Sequence, residues 1–151
     1  MTRALIAVGA LLALAFAGFW AVVFLTRQED RVAVDNVLAL QLTKAIGTAD
    51  EQDGQVDLRR LAGGDWDRVL VVAPGTNRER VSEALGSEYK GDLPYGSQGQ
   101  VFVFARGSNL VRFADYRGRG TFTGFDRPLA VVPRADAVLD VRDLVVSPAM
   151  R

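Results

Sequence analysis

The longest hydrophobic pattern in the chain is an unbroken apolar run from Ala4 to Leu25. As a helix, the 22 residues of this run extend about 33 Å, which is enough to cross the hydrocarbon core of a bilayer. Arg3 precedes the run, and the charged segment 26–31 follows it. The pattern predicts a transmembrane helix within residues 1–27.

A cleaved secretory signal is the alternative for this segment, because Ala15-Phe16-Ala17 fits an Ala-x-Ala cleavage site. The run nevertheless stays apolar from Gly18 to Leu25, whereas a cleavage site normally leads into a polar mature terminus. We therefore favour an uncleaved signal anchor. The Lys and Arg residues that flank the run are too evenly divided to set its orientation. The short N-terminal tail favours the N-terminus inside and the domain outside.

Small residues recur within the predicted span. Gly9, Ala13 and Ala17 lie four positions apart and therefore share one helix face. Such faces allow two membrane helices to approach closely. We expect this stripe to contact another membrane protein.

A second helical pattern follows the charged segment. Apolar residues recur there at spacings of three and four, which is typical of an amphipathic helix. They are Val34, Val37, Leu38, Leu42 and Ala45. The spacing predicts a helix from Arg31 to Ile46, with Gly47 as its end, within a juxtamembrane segment 28–47.

The pattern changes to a strand at Trp66–Ala73, a continuous β-prone run of the kind that is buried on both faces. Pro74 and Gly75 end this run. Thr76 and Glu79 have the spacing of a capping box, which predicts a short helix. Gly86 is the expected end of that helix.

Two β-rich runs, 100–105 and 110–116, flank the turn tetrad 106–109 and predict a β-hairpin. Further strands are predicted at 121–125, 129–132 and 138–146, with a tail at 147–151. Segment 48–65 is polar and Gly-rich, with one weak apolar patch at 56–61. Residues 48–146 are therefore expected to form one α+β domain.

The predicted fold class is α+β, with an N-terminal transmembrane helix, a juxtamembrane helix and a small antiparallel sheet. The sheet is expected to have four to six strands and one short helix packed on it.

Charge adds a second pattern to this picture. The chain has 18 basic and 18 acidic residues, so its balance gives no indication of nucleic acid as a partner. Residues 28–99 nevertheless carry a net charge of −5, and residues 100–134 one of +4. One interpretation is solvated strand faces that balance each other. The other is a basic surface for lipid headgroups or an acidic partner, formed by Arg106, Arg112, Arg117 and Arg119.

The chain has no His and no Cys. This excludes thiol and imidazole nucleophiles or bases, disulfides and zinc–thiolate sites. The remaining candidate groups form no recognisable catalytic arrangement. They are Lys44, Asp65, Asp67, Tyr89, Lys90, Tyr95 and the serines. We expect no enzymatic activity, cofactor or metal.

The best-organised segment carries a resemblance. Trp66-Asp67 opens a hydrophobic strand, Pro74 closes it, and a short helix ends at Leu85-Gly86 before the hairpin. This pattern, over residues 61–116, resembles a family of small bacterial membrane-attached proteins, which are lipoproteins or single-span proteins of uncharacterised function.

The chain departs from the lipoprotein members because it lacks a lipidation Cys, and it has Gly75 where an aromatic residue often follows the proline. The resemblance implies membrane attachment and this strand–helix–hairpin topology, and it implies no catalytic residues. Trp66, Asp67, Pro74 and Gly86 are therefore expected to have structural roles.

The sequence thus predicts a membrane-anchored, non-enzymatic accessory or scaffold protein, a subunit of a complex in the bacterial cytoplasmic membrane or envelope. Its expected partners are the bilayer and another membrane or envelope protein. Two alternatives stay open. One is a domain that binds lipid headgroups or a small anionic ligand with the Arg-rich half. The other is an enzyme without a recognisable motif.

Overall fold

The computed structural model of the protein describes residues 32–93 and 99–149. The chain divides into two units, Met1–Arg31 and Val32–Arg151, and the elements below belong to the second. Three helices are α1 (Asn36–Glu51), α2 (Leu58–Ala62) and α3 (Arg78–Leu85). The strands are β1 (Gln55–Asp57), β2 (Arg68–Val72), β3 (Gln100–Arg106), β4 (Asn109–Tyr116), β5 (Thr121–Phe122), β6 (Leu129–Pro133), β7 (Val138–Arg142) and β8 (Val145–Pro148).

Four strands in the order β4-β3-β2-β6 form the central sheet, and each neighbour is antiparallel. In its middle, Val71 of β2 pairs with Phe102 on one side and Ala130 on the other. Both faces of this sheet are covered, so β2 is buried from Val69 to Val72. The continuous apolar run in the sequence therefore correctly predicted a strand without a solvent face.

The outer sheet has the order β1-β7-β8-β5. Its pairs are antiparallel except for β5 and β8, which are parallel. One core cluster joins this sheet, α1 and one face of the central sheet, and it includes Leu42, Trp66, Phe104 and Leu139. A second cluster on the opposite face of the central sheet includes Val81, Leu85 and Tyr89.

The α+β class is confirmed, but the described residues form two sheets where the sequence predicted one. The predicted strand 138–146 is two strands, because Asp143 and Leu144 adopt φ angles of 48° and 58° and turn the chain between β7 and β8. The polar segment 48–65, where the sequence predicted no element, contains the end of α1, β1 and α2. The pattern missed β1 because only Val56 of this three-residue strand is buried.

The structure also corrects the bounds of α1. Asp35 accepts a hydrogen bond from the Leu38 amide at 2.9 Å, so this N-cap starts the helix five residues later than predicted. The helix passes through Gly47 and ends at Glu51. The residue buried on the first turn is Leu38, while Val37, which the sequence placed on the same stripe, is 67% exposed.

Three further boundaries differ in detail. Asn77, not Thr76, caps α3, and it accepts a hydrogen bond from the Arg80 amide at 3.0 Å. The helix ends where expected, because Gly86 adopts the left-handed conformation at φ 80°. β8 extends through Pro148 into the predicted tail.

Candidate functional site

Trp66 lies in the core beneath the hairpin. Its side chain is 2% exposed, and its ring meets the edge of Phe104 at a centroid distance of 5.1 Å. The indole N–H donates to the Gly63 carbonyl at 2.8 Å, and the Arg134 guanidinium lies 4.8 Å above the ring centroid. The ring and the N–H of the indole are therefore both engaged within the fold.

Asp67 holds the turn between β3 and β4. The Gly107 amide donates to its Oδ2 at 2.6 Å, and Arg68 donates to its Oδ1 at 3.1 Å. The Gly107 hydrogen bond and the Arg68 contact lower the pKa of Asp67 below its usual value. Asp65 forms an ion pair with Arg106 on the same turn. The two carboxylates therefore brace the hairpin.

The arginines of the predicted basic surface do not form one patch. Arg106 lies at the hairpin turn, and Arg117 follows the other end of β4, whose eight residues span about 24 Å. Arg112 donates to the Ala62 carbonyl at 2.7 Å and lies 3.7 Å from Asp35. Arg119 is exposed.

Other candidate catalytic groups are dispersed. Tyr89 is fully buried, donates a hydrogen bond to the Asp92 carbonyl, and has a pKa raised by burial. Lys44 lies on the exposed side of α1, and Lys90 follows Tyr89 after α3. Tyr95 lies outside the described residues. Within 32–93 and 99–149, no group of acidic side chains is arranged to hold a metal ion.

The predicted anchor, with Gly9, Ala13 and Ala17, lies outside the described residues. Among the helices of the described part of the chain, none has the length and hydropathy needed to span a bilayer.

One concave surface, which we name the α1 groove, lies between the second half of α1 and the β1–α2 segment. Its volume is about 640 Å³. Its lining includes Gln41, Lys44, Ala45, Thr48, Arg60 and Leu61. Val37 and Leu40 precede the groove on the same helix side, because positions 37, 40, 41, 44 and 48 share the spacing of one face. They are 67% and 71% exposed.

A second concave surface, which we name the arginine cleft, has a volume of about 370 Å³. It lies where β3 begins, β4 ends and β5 follows. Its lining includes Pro74, Gln100, Arg117, Gly118, Thr121 and Arg127. Among the four motif residues, Pro74 thus borders this cleft, whereas Gly86 closes α3.

Sequence reasoning missed two residues of these surfaces. Leu40 was left unexplained by the apolar stripe of α1, and its position on the polar side of that helix was the available signal. Arg127 carries no local signal, because its place in the cleft depends on the pairing of β6 with β2.

Comparisons with protein-family models, with curated proteins and with solved structures gave no match to this chain. The fold is thus that of a small α+β domain, and the described residues include the α1 groove and the arginine cleft, from which function is argued.

Proposed function

We propose that this protein is a membrane-anchored accessory protein of a bacterial envelope complex, without enzymatic activity, and that its α1 groove docks a partner membrane protein. The observation that carries the proposal is the exposure of Val37 and Leu40 beside the groove, at 67% and 71%. Large aliphatic side chains in contact with water beside a concave surface favour association with an apolar partner.

The charge of the groove limits the chemistry of the partner. Lys44 is exposed, and the Arg60 side chain is 91% exposed with its Nε 3.9 Å from Asp57. An exposed pair at that distance contributes little, so the Arg60 charge remains available to a partner. The surface therefore favours an apolar stretch that carries acidic side chains.

The short segment between the predicted span and the domain supports the proposal that the partner is a membrane protein. Six residues, 26–31, separate the predicted span from Val32, and six residues reach at most about 21 Å. With the span in the cytoplasmic membrane, the domain is held near the outer surface of the bilayer. The proposed topology has the N-terminus inside and the domain outside.

The predicted membrane span adds to an affinity that is low for the groove alone. Complete burial of one Val or Leu side chain contributes about 1.5–3 kcal/mol, so Val37 and Leu40 alone support only weak association. Confinement to the bilayer plane raises the effective concentration of the domain near a membrane partner. We therefore expect both the span and the groove to be needed for a stable complex.

Site-specific cross-linking tests the proposal. A photoreactive amino acid placed at Leu40 of the full-length protein in cells should cross-link to a membrane protein, through an apolar peptide with acidic residues. The same amino acid at Val131, which is 48% exposed on β6, is the matched control and should not capture that protein. Val37→Asp with Leu40→Asp should abolish the complex, whereas Val131→Asp should leave it intact.

Three results would overturn the docking proposal. One is equal capture from positions 40 and 131. Another is a cross-link from Leu40 to lipid or to a second copy of this chain alone. The third is a full-length protein that runs alone in mild detergent and yields no cross-linked partner in cells.

A further inference from the structure

The arginine cleft supports a second proposal, which is independent of the docking proposal. We propose that this cleft binds a small molecule with a phosphate monoester group, and that Arg127 is its main charged contact. Arg117 is the second cationic contact, and the neutral side chains of Gln100 and Thr121 complete the set of possible donors.

The Arg127 guanidinium is available to contact an anionic ligand in the cleft. One of its Nη atoms donates to the Phe122 carbonyl at 3.2 Å, which fixes the direction of the side chain. Among the described residues, no carboxylate forms an ion pair with this guanidinium. Four of its five N–H donors therefore remain for a ligand, and a guanidinium matches the geometry of two phosphate oxygens.

Arg117 contributes differently, because it already has an acidic partner. Its Nε donates to Oδ2 of Asp115 at 2.7 Å, and its Nη2 lies 2.6 Å from the same oxygen in an ion pair. The other oxygen of Asp115, Oδ1, is buried and has no hydrogen-bond partner among the described residues, so Arg117 is the cation that compensates this carboxylate there. A ligand is expected to use the free Nη1 of Arg117 without breaking this pair. Among the described residues of the cleft, the positive charge without an acidic partner is then that of Arg127.

The rim of the cleft is held in place by a tyrosine. The Tyr116 hydroxyl donates to the Arg119 carbonyl at 2.6 Å, and the ring fills the space that a Cβ at Gly118 would occupy. A tyrosine hydroxyl is a donor at neutral pH even at its ordinary pKa, and burial raises the pKa of Tyr116 further. The 117–120 loop is thereby fixed beside Arg127 without any side chain at Gly118.

The size of the cleft selects among anions. A volume of about 370 Å³ lies at the lower end of the range for small-molecule sites. It accommodates a phosphate with a short polar substituent. A soluble phosphate monoester and the headgroup of phosphatidic acid present the same chemistry, and the test separates these two sources.

The experiment uses the full-length protein in a neutral detergent. Inorganic phosphate and glycerol 3-phosphate are titrated while the amide signals of Gly118 and Gly120 and the Arg127 Nε–Hε signal are followed by NMR. Nanodiscs that contain phosphatidic acid form the lipid arm, with phosphatidylcholine nanodiscs as its control. We expect saturable shifts with a Kd below about 1 mM for at least one source.

Two variants that each remove one positive charge test whether binding is specific to the cleft. Arg127→Gln should raise Kd about tenfold or more, since a charged contact contributes on the order of one decade in affinity. Arg119→Gln, whose side chain does not line the cleft, is the matched control and should change Kd less than about twofold.

Saturation with the soluble phosphates identifies a free ligand, and saturation in phosphatidic acid nanodiscs alone identifies a lipid headgroup. The proposal is overturned by unsaturated or absent shifts in every arm. It is also overturned by equal losses in the two variants, because these indicate nonspecific attraction to charge.

Discussion

At the scale of single residues, two carboxylates among the candidate catalytic groups brace the fold. Asp65 and Asp67, which lie on either side of Trp66 in the sequence, each contact the β3–β4 hairpin. Trp66, a large ring at the start of a buried strand, lies in the core at 2% exposure, since such a ring requires core space. The sequence does not indicate that Gly107 is the partner of Asp67, since the two meet only after the hairpin forms.

The contact between Asp67 and Gly107 predicts a dependence of stability on pH. The pKa of Asp67 is lowered in the folded state, so the ionised carboxylate stabilises the fold above the unfolded pKa of about 3.9. That stabilisation is lost as pH falls through the lower, folded pKa. Asp67→Asn should therefore lower Tm by a few degrees at pH 7, and the difference from the parent should shrink below about pH 4.

Thermal unfolding of the full chain between pH 3 and pH 7 measures this effect. Asp126→Asn, at an exposed position in the loop before β6, is the control and should leave Tm at pH 7 nearly unchanged. A Tm difference for Asp67→Asn that stays constant across the whole range would show that the carboxylate charge is not responsible.

At the scale of elements, the sequence predicted those whose signals are local. β2 and the β3–β4 hairpin are continuous β-prone runs, and they were placed to within two residues. The start of α1 was misplaced, because its spacing pattern extends through Val34 although the cap at Asp35 excludes the preceding residues. β1 is only three residues long and was missed, whereas β5, two residues long, lies within the predicted strand 121–125. Both short strands gain their regularity from β7 and β8.

The two sides of α1 give a prediction for this helix. Leu42 is fully buried, whereas Leu40 is 71% exposed. Leu42→Ala should reduce the free energy of unfolding by about 2–5 kcal/mol because it leaves a cavity. Leu40→Ala is the matched substitution and should change it by no more than about 0.5 kcal/mol.

Chemical denaturation of the full-length protein in mild detergent, followed by near-UV circular dichroism, gives both values. Similar losses for the two variants would contradict the orientation of α1 and remove the basis for the α1 groove as a docking surface.

At the scale of the whole molecule, the apolar run can be recognised from a local pattern, whereas the arrangement of the sheets cannot. The two-sheet arrangement depends on pairings over long sequence distances, such as Val56 with Leu139, which no local pattern specifies. The candidate surfaces depend on the same pairings. In the sequence, the only local sign of the α1 groove is therefore the apolar Leu40 on the polar side of the helix. The only local sign of the arginine cleft is the segment Arg117–Gly120 at its rim.

The retention of the anchor is the prediction at this scale. The run stays apolar past Ala17, so protein isolated from membranes should keep Met1 or Thr2 at its terminus and should resist extraction by alkaline carbonate. Intact-mass measurement checks the terminus, and a chain that begins at Gly18 would contradict the proposal. Leu12→Arg places a charge at the centre of the run and should make the protein extractable.

The sheet order has a consequence for the time at which the domain can fold. β2 lies between β3 and β6, and β1 pairs with β7, so both sheets need strands from beyond residue 128. An N-terminal signal leaves the ribosome long before those strands are made, and contacts between distant segments form late. If the apolar run directs export, the domain crosses the membrane as an extended chain and folds only on the far side. Late closure of its sheets would keep the chain open for that passage.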